Sequence, residues 1–250
     1  MTQAAVALVA VRSSPGRPEG VGTYTAGLAA HLADCGVETE VWVQRGPGED
    51  GRAAGGVRLT PVWRPGVMLG ADLLRRLRRA RPRILHVQFE HGIFGGGSGV
   101  ASLLAALLLA RAVFRQKIVA TVHQVPSSRD LDPETLRRLG IHRRAWVAHL
   151  LLRAAMAALG RAADRLVVHA EIFKRRLVQE WGQRREKVCV LPHGTSPPDA
   201  EQGVPERHRV LVFGYVKWYK GIDIAIEAFR RLAGDFPGWT LTIAGVPPSR

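Results

Sequence analysis

Residues 84–122 read ILHVQFEHGIFGGGSGVASLLAALLLARAVFRQKIVATV. The opening ILHVQF is a short β-forming run, followed by Glu90, His91 and a glycine break at Gly95, Gly96 and Gly97. Residues 100–114 are almost wholly apolar and too long for a strand, so they predict a buried helix. IVATV at 118–122 is again β-branched and is apolar at successive positions, as a strand covered on both faces requires. A strand, a long helix and a second buried strand in that order form a crossover unit with parallel strands.

The same alternation extends in both directions. Towards the N-terminus the sequence predicts strands at 4–11, 38–43 and 57–62, and helices at 22–34 and 71–81. Gly36 and Pro82 are the stop signals of the two helices. Towards the C-terminus it predicts a long helix from Pro133 to about Ala163, a strand at 165–169, a helix at 172–181 and a strand at 187–191. The expected fold class is therefore α/β, with a Rossmann-like parallel sheet over residues 1–195. Residues 193–208, HGTSPPDAEQGVPERH, are polar, rich in proline and glycine, and aperiodic, so 196–208 reads as a linker. RVLVF at 209–213, an amphipathic helix at 221–232 and a strand at 240–244 begin a second β-α-β unit in 209–250. Its sheet face is covered only if further strands join it.

The 250 residues are 46% apolar and 23% charged, which excludes a disordered chain. The net charge is +15, with thirty-one arginines against five lysines. The arginines are scattered over predicted helices (Arg75, Arg76, Arg78, Arg79, Arg143, Arg144) without interleaved aromatic residues. Such a pattern builds no base-stacking platform, and no nucleic-acid partner is expected. The basic helix at 73–81 suits either a solvated face or a peripheral contact with anionic lipid. The longest apolar run, 100–110, is shorter than the roughly 20 residues a membrane span needs. The opening MTQAAVALVAV lacks the charged start of a leader peptide, so a cytoplasmic protein is expected, with room for membrane-peripheral contact. Cys35 and Cys189 make neither a disulfide framework nor a metal spacing; both lie in apolar stretches and are expected to be buried.

Ligands of an open parallel sheet bind beyond the carboxyl ends of its strands. After the first strand, Gly20 and Gly22 precede a helix; they either expose N–H groups that hold an anion or merely make a turn. The spacing is not G-x-G-x-x-G, and the second strand ends without the acidic residue that grips a ribose, which excludes a nicotinamide-dinucleotide domain. Glu90 and His91 set a carboxylate beside an imidazole, an acid–base or hydroxyl-binding pair. His123 stands at the end of the 118–122 strand, and His193 falls at the domain junction. His31, His142 and His149 lie in helical patterns and read as surface or packing residues. After RVLVF, the stretch from Gly214 to Gly221 places Lys217 and Lys220 just before a helix N-terminus. There ammonium groups, free N–H groups and the helix dipole all favour a phosphate.

Taken together, EGVGTYTAGLAAHLADCGVETEVWV, HVQFEHGIFGGG, ATVHQV, ADRLVVHAEIFKRRL, KVCVLPHGT and VLVFGYVKWYKGIDIAIEAF resemble the group 1 (family 4) glycosyltransferases of GT-B fold. The resemblance implies two Rossmann-like domains facing a cleft, the first for the acceptor and the second for a nucleotide-sugar. It implies an enzyme that moves a sugar from a nucleoside-diphosphate sugar to an alcohol acceptor, with retention of configuration. His123 then lies near the donor sugar, Gly22, Lys217, Lys220 and Gly221 bind the donor diphosphate, and Gly20, Glu90 and His91 belong to the acceptor side. Many members carry Arg directly after the glycine of the second basic loop; Tyr215 stands there in this chain, so Lys217 takes that part. The nucleotide-sugar is a co-substrate, no cofactor is implied, and no metal is expected because basic groups neutralise the leaving diphosphate. The family's second domain also carries an E-x7-E motif, which nothing after Gly245 supplies. A donor domain cut short is the expectation, with a non-catalytic remnant or a partner subunit of a split enzyme as the alternative.

Overall fold

A computed structural model describes residues 4–13, 20–46, 51–52, 57–131, 144–194, 207–216 and 220–245. The chain divides into two compact units, Met1–Gly194 and Thr195–Arg250. In the first, the order is β1 (Val6–Val9), α1 (Gly20–Asp34), β2 (Thr39–Gln44), β3 (Gly51–Arg52), β4 (Arg58–Trp63), α2 (Leu69–Ala80), β5 (Ile84–Phe89), α3 (Gly96–Phe114), β6 (Lys117–Val122), α4 (Ala145–Ala162), β7 (Arg165–Val168), α5 (Glu171–Gln179) and β8 (Val188–Val190). The strands form one sheet in the order β3-β4-β2-β1-β5-β6-β7-β8. Seven are parallel, and β3 adds an antiparallel edge that the sequence pattern did not indicate.

Alternation along each strand sends its side chains to opposite faces. Ala7 and Val9 of β1 and Trp42 of β2 join the larger apolar cluster with α2, α3 and α4. Val6 and Leu8 of β1, with Val41 and Val43 of β2, pack instead with Ala29 of α1. Two covered faces explain why VALV and IVATV carry apolar residues at consecutive positions. The face that β1 shares with α1 turns polar along β5 and β6. Leu8 is paired in register with His86, and His86 Nε2 lies 2.8 Å from Thr121 Oγ1.

Helix α3 has the length and apolarity of a membrane-crossing helix. In the fold, Val100, Leu103, Leu104, Leu107 and Ala110 line its buried face, and it packs against α2 and α4. The glycine break at Gly95–Gly97 is in fact the helix start: α3 opens at Gly96. Helix α4 runs from Ala145, and the predicted helical stretch before it falls at 132–143, outside the described residues.

The basic helix α2 buries Leu69, Leu73 and Leu77 in the core. Two of its arginines, with Arg64 just after β4, neutralise buried carboxylates. Asp72 takes Arg64 at 2.9 Å and Arg75 at 3.0 Å. Glu40 takes Arg76 at 2.8 Å, and that guanidinium also lies over the Trp42 ring. Part of the arginine excess is therefore internal charge balance, without which a buried carboxylate would be costly. Cys35 is exposed, against expectation, and Cys189 is half-buried.

The second unit contains β9 (Arg209–Phe213), α6 (Ile222–Leu232) and β10 (Thr240–Ala244), with β9 and β10 parallel. No residue of α6 is buried; Phe213 is 80% and Ile224 71% exposed. A two-stranded sheet with one helix leaves its apolar face open to solvent, as its small size dictates. Residues 195–206, most of the expected linker, lie outside the described residues.

Candidate functional site

Three neighbouring parallel strands end in histidines. His123 directly follows β6, His169 directly follows β7, and His193 stands three residues past β8. Parallel strands about 4.8 Å apart bring such residues to one place on the carboxyl edge, although 46 and 24 residues separate them in sequence. The His169 and His193 rings stack at 3.7 Å between centroids, and His123 lies 5.2 Å from His169. One ring nitrogen from each of the three lies within 4.8 Å of the others. Tyr24 of α1 closes the cluster from above, with its ring 5.1, 5.0 and 5.2 Å from His123, His169 and His193.

The hydrogen bonds define the tautomers. His169 Nδ1 is 2.9 Å from the Leu191 carbonyl, which only accepts, so Nδ1 carries the proton and Nε2 the lone pair. That Nε2 is buried without a hydrogen-bond partner. His123 Nε2 is 2.9 Å from Gln88 Oε1, so its Nδ1 holds the lone pair. Burial, and then the charges of His169, His193 and His86, push the His123 pKa down to about 4. Burial and His169 lower that of His193.

Of the residues expected from sequence, only His123 belongs to this cluster. Glu90 and His91 follow β5, next to β1, where the strand order reverses. His91 packs edge-on against Phe89 at 5.0 Å, its Nε2 is buried without a partner, and burial lowers its pKa to about 4. Such an imidazole is neutral. Gly20 and Gly22 do not precede α1; they are the first and third residues of its first turn. A Cβ on Gly22 would stand 2.7 Å from Ser13 N and 3.0 Å from Val11 O, whereas one on Gly20 meets nothing within 4 Å. Gly22 lets α1 approach the chain leaving β1. Gly22→Ala should therefore lower the unfolding midpoint by the equivalent of about 1–3 kcal/mol, with Gly20→Ala near neutral. Equal midpoints for the two variants in a thermal melt would contradict this.

In the second unit, Gly221 adopts a left-handed conformation (φ 66°) at the N-cap of α6, directly after the exposed Lys220. Asp223 lies in the first turn of the same helix. Lys217 lies outside the described residues. His169, His193 and Tyr24 were not candidates from sequence. His169 read as the last residue of a strand, and His193 only as a junction residue. The strand order was the missing signal.

A cavity of about 390 Å³ lies at the opposite, amino edge of the sheet, lined by Arg161, Trp181, Arg184 and Lys187 among others. Lys187 Nζ donates there to the Gly160 and Ala163 carbonyls, both at 2.9 Å. Its charge caps the end of α4, so the cavity is framed by a structural contact.

A parallel sheet with polar residues gathered at its carboxyl edge, followed by a β-α-β unit, is the GT-B-like arrangement that the sequence led us to expect. The profile of Glycosyltransferase Family 4 matches residues 18–198, and the chain belongs to that family. The chain is 25% identical over 264 aligned positions to a D-inositol 3-phosphate glycosyltransferase of Kineococcus radiotolerans, an alignment that covers 93% of this chain and 58% of that protein. The fold is similar to that of WaaG, a glycosyltransferase involved in lipopolysaccharide biosynthesis (TM-score 0.54, 14% identity, 97% of this chain and 64% of that one). It is also similar to the glycotransferase of kitacinnamycin (TM-score 0.51, 13% identity, 95% and 64%). The chain thus spans about three fifths of the length of these relatives.

Proposed function

We propose that the chain acts in transfer of a sugar from a nucleoside-diphosphate sugar to an alcohol acceptor, with retention of configuration. The observation that carries this reading is the family match over residues 18–198, which includes the ends of β2 to β8. On this reading the carboxyl edge of that unit receives acceptor and sugar, with His123 orienting the sugar and Glu90 and His91 on the acceptor side. In the second unit, Lys217, Lys220 and the N-terminal N–H groups of α6 neutralise the departing diphosphate. Contact of α2 with a membrane would be electrostatic only, through residues such as Arg78 and Arg79, because its apolar face is committed to the core.

The test is to incubate the full chain with a panel of nucleotide-sugars and alcohol acceptors and to follow release of nucleoside diphosphate. Acceptor-dependent release with one donor class supports the reading; no release and no nucleotide binding reject it. A second reading, a partner subunit of a split transferase, is favoured by the uncovered apolar face of the β9-α6-β10 unit. It predicts nucleotide-independent stabilisation by a second polypeptide and no turnover by this chain alone.

A further inference from the structure

We propose that His123, His169 and His193 form a tri-histidine site for a divalent transition-metal ion of the zinc type, with the fourth coordination position open. The family resemblance led to the expectation of no metal, the inference does not rest on the sugar-transfer reading, and an ion held by His123 would replace the sugar contact given to that residue above.

Four observations converge on it. One ring nitrogen from each imidazole already lies within 4.8 Å of the other two. A tetrahedral ion at about 2.0–2.1 Å from each nitrogen needs them roughly 3.4 Å apart, and closing the site requires the His193 ring to turn out of its stack on His169 so that its in-plane lone pair meets the ion. His193 is exposed on the segment after β8 and can supply that movement. Secondly, His169 is only 9% exposed, yet its Nε2 has no hydrogen-bond partner. A buried lone pair without a donor is costly, and a bound cation removes that cost. Thirdly, His169 and His123 each donate their other ring N–H to a carbonyl oxygen, of Leu191 and of Gln88. That outer contact is the one that orients metal-bound imidazoles and raises their basicity. Fourthly, the ligand set is three imidazole nitrogens with no carboxylate among them, which selects borderline ions such as Zn²⁺ and Co²⁺ over Mg²⁺ or Ca²⁺. Three protein ligands with one open position are the pattern of a zinc site that accepts water or a substrate oxygen.

The untagged full chain, stripped with EDTA and dialysed, is titrated with Co²⁺ and then Zn²⁺, reading visible absorption and calorimetric stoichiometry. The expected result is one ion per chain, the strong absorption of four-coordinate Co²⁺, and its loss when Zn²⁺ displaces it. His193→Ala, at an exposed position that leaves the fold intact, should weaken binding at least tenfold. His169→Ala should do the same, with circular dichroism confirming that it folds. Gln88→Leu, which removes the oxygen that orients His123, should weaken binding about tenfold. Absence of one-equivalent binding, or affinity unchanged in His193→Ala, overturns the proposal. Because the readout is metal alone, its failure is separate from any failure of nucleotide-sugar turnover.

Discussion

Lowering the pH from 7 to 5 should destabilise the metal-free protein by about 6 kcal/mol, about 2 for each of His86, His91 and His123. Burial holds all three at a pKa of about 4, against an ordinary value of 6.5. The sign follows from proton counting. Between these two values the unfolded chain binds the protons and the folded chain does not, so each step down in pH favours unfolding. The loss starts near pH 6.5 and levels off below pH 4. His86 sits on the α1 side of the sheet, beside Thr121 at 2.8 Å. His86→Gln keeps a polar partner for that hydroxyl and removes its titration, so its fall between pH 7 and 5 should be about two thirds that of the parent. Calorimetric melts in EDTA decide this. A parent midpoint equal at both pH values, or an unaltered fall in His86→Gln, would show that the buried imidazoles do not govern acid stability.

Lys220→Ala should weaken binding of a nucleoside diphosphate by roughly 10- to 100-fold, the size of a lost charge-assisted hydrogen bond to phosphate. Lys220 directly precedes the left-handed Gly221 at the N-cap of α6, so its positive charge is carried at the helix end whose dipole favours an anion. Asp223 in the first turn opposes an anion at that pole. Asp223→Asn should therefore tighten binding, and Lys220→Arg should retain part of it. Calorimetry with the diphosphate alone is the measurement. Unchanged affinity in Lys220→Ala would remove this helix end from the proposed donor site.

Much of the architecture was legible in residues such as those of 84–122, because strand and helix differ in periodicity and a doubly covered sheet demands continuous apolar strands. The helix boundaries were less so. The first turn of α1 contains Gly20 and Gly22, which looked like a loop because glycine is a poor helix former. At Gly22 the close approach to Ser13, which a Cβ would block, requires glycine despite its poor helix propensity. The basic helix α2 suited either a solvated face or a contact with anionic lipid; burial of Asp72 and Glu40, invisible in a linear reading, gives its Arg75 and Arg76, and Arg64 after β4, carboxylate partners.

By itself the sequence determined the α/β class, the parallel crossover topology, the division near residue 195 and the family likeness, all of which depend on local period and on motifs contiguous in the chain. Tertiary structure alone decided which strand ends are neighbours. His123, His169 and His193 share no spacing rule, and they meet because β6, β7 and β8 are adjacent and parallel. Hydrogen bonds to Gln88 and to the Leu191 carbonyl then engage one nitrogen of His123 and one of His169. Adjacency is a property of sheet order, and sheet order is fixed by long-range packing, so no reading of residues one after another could have placed those three rings together.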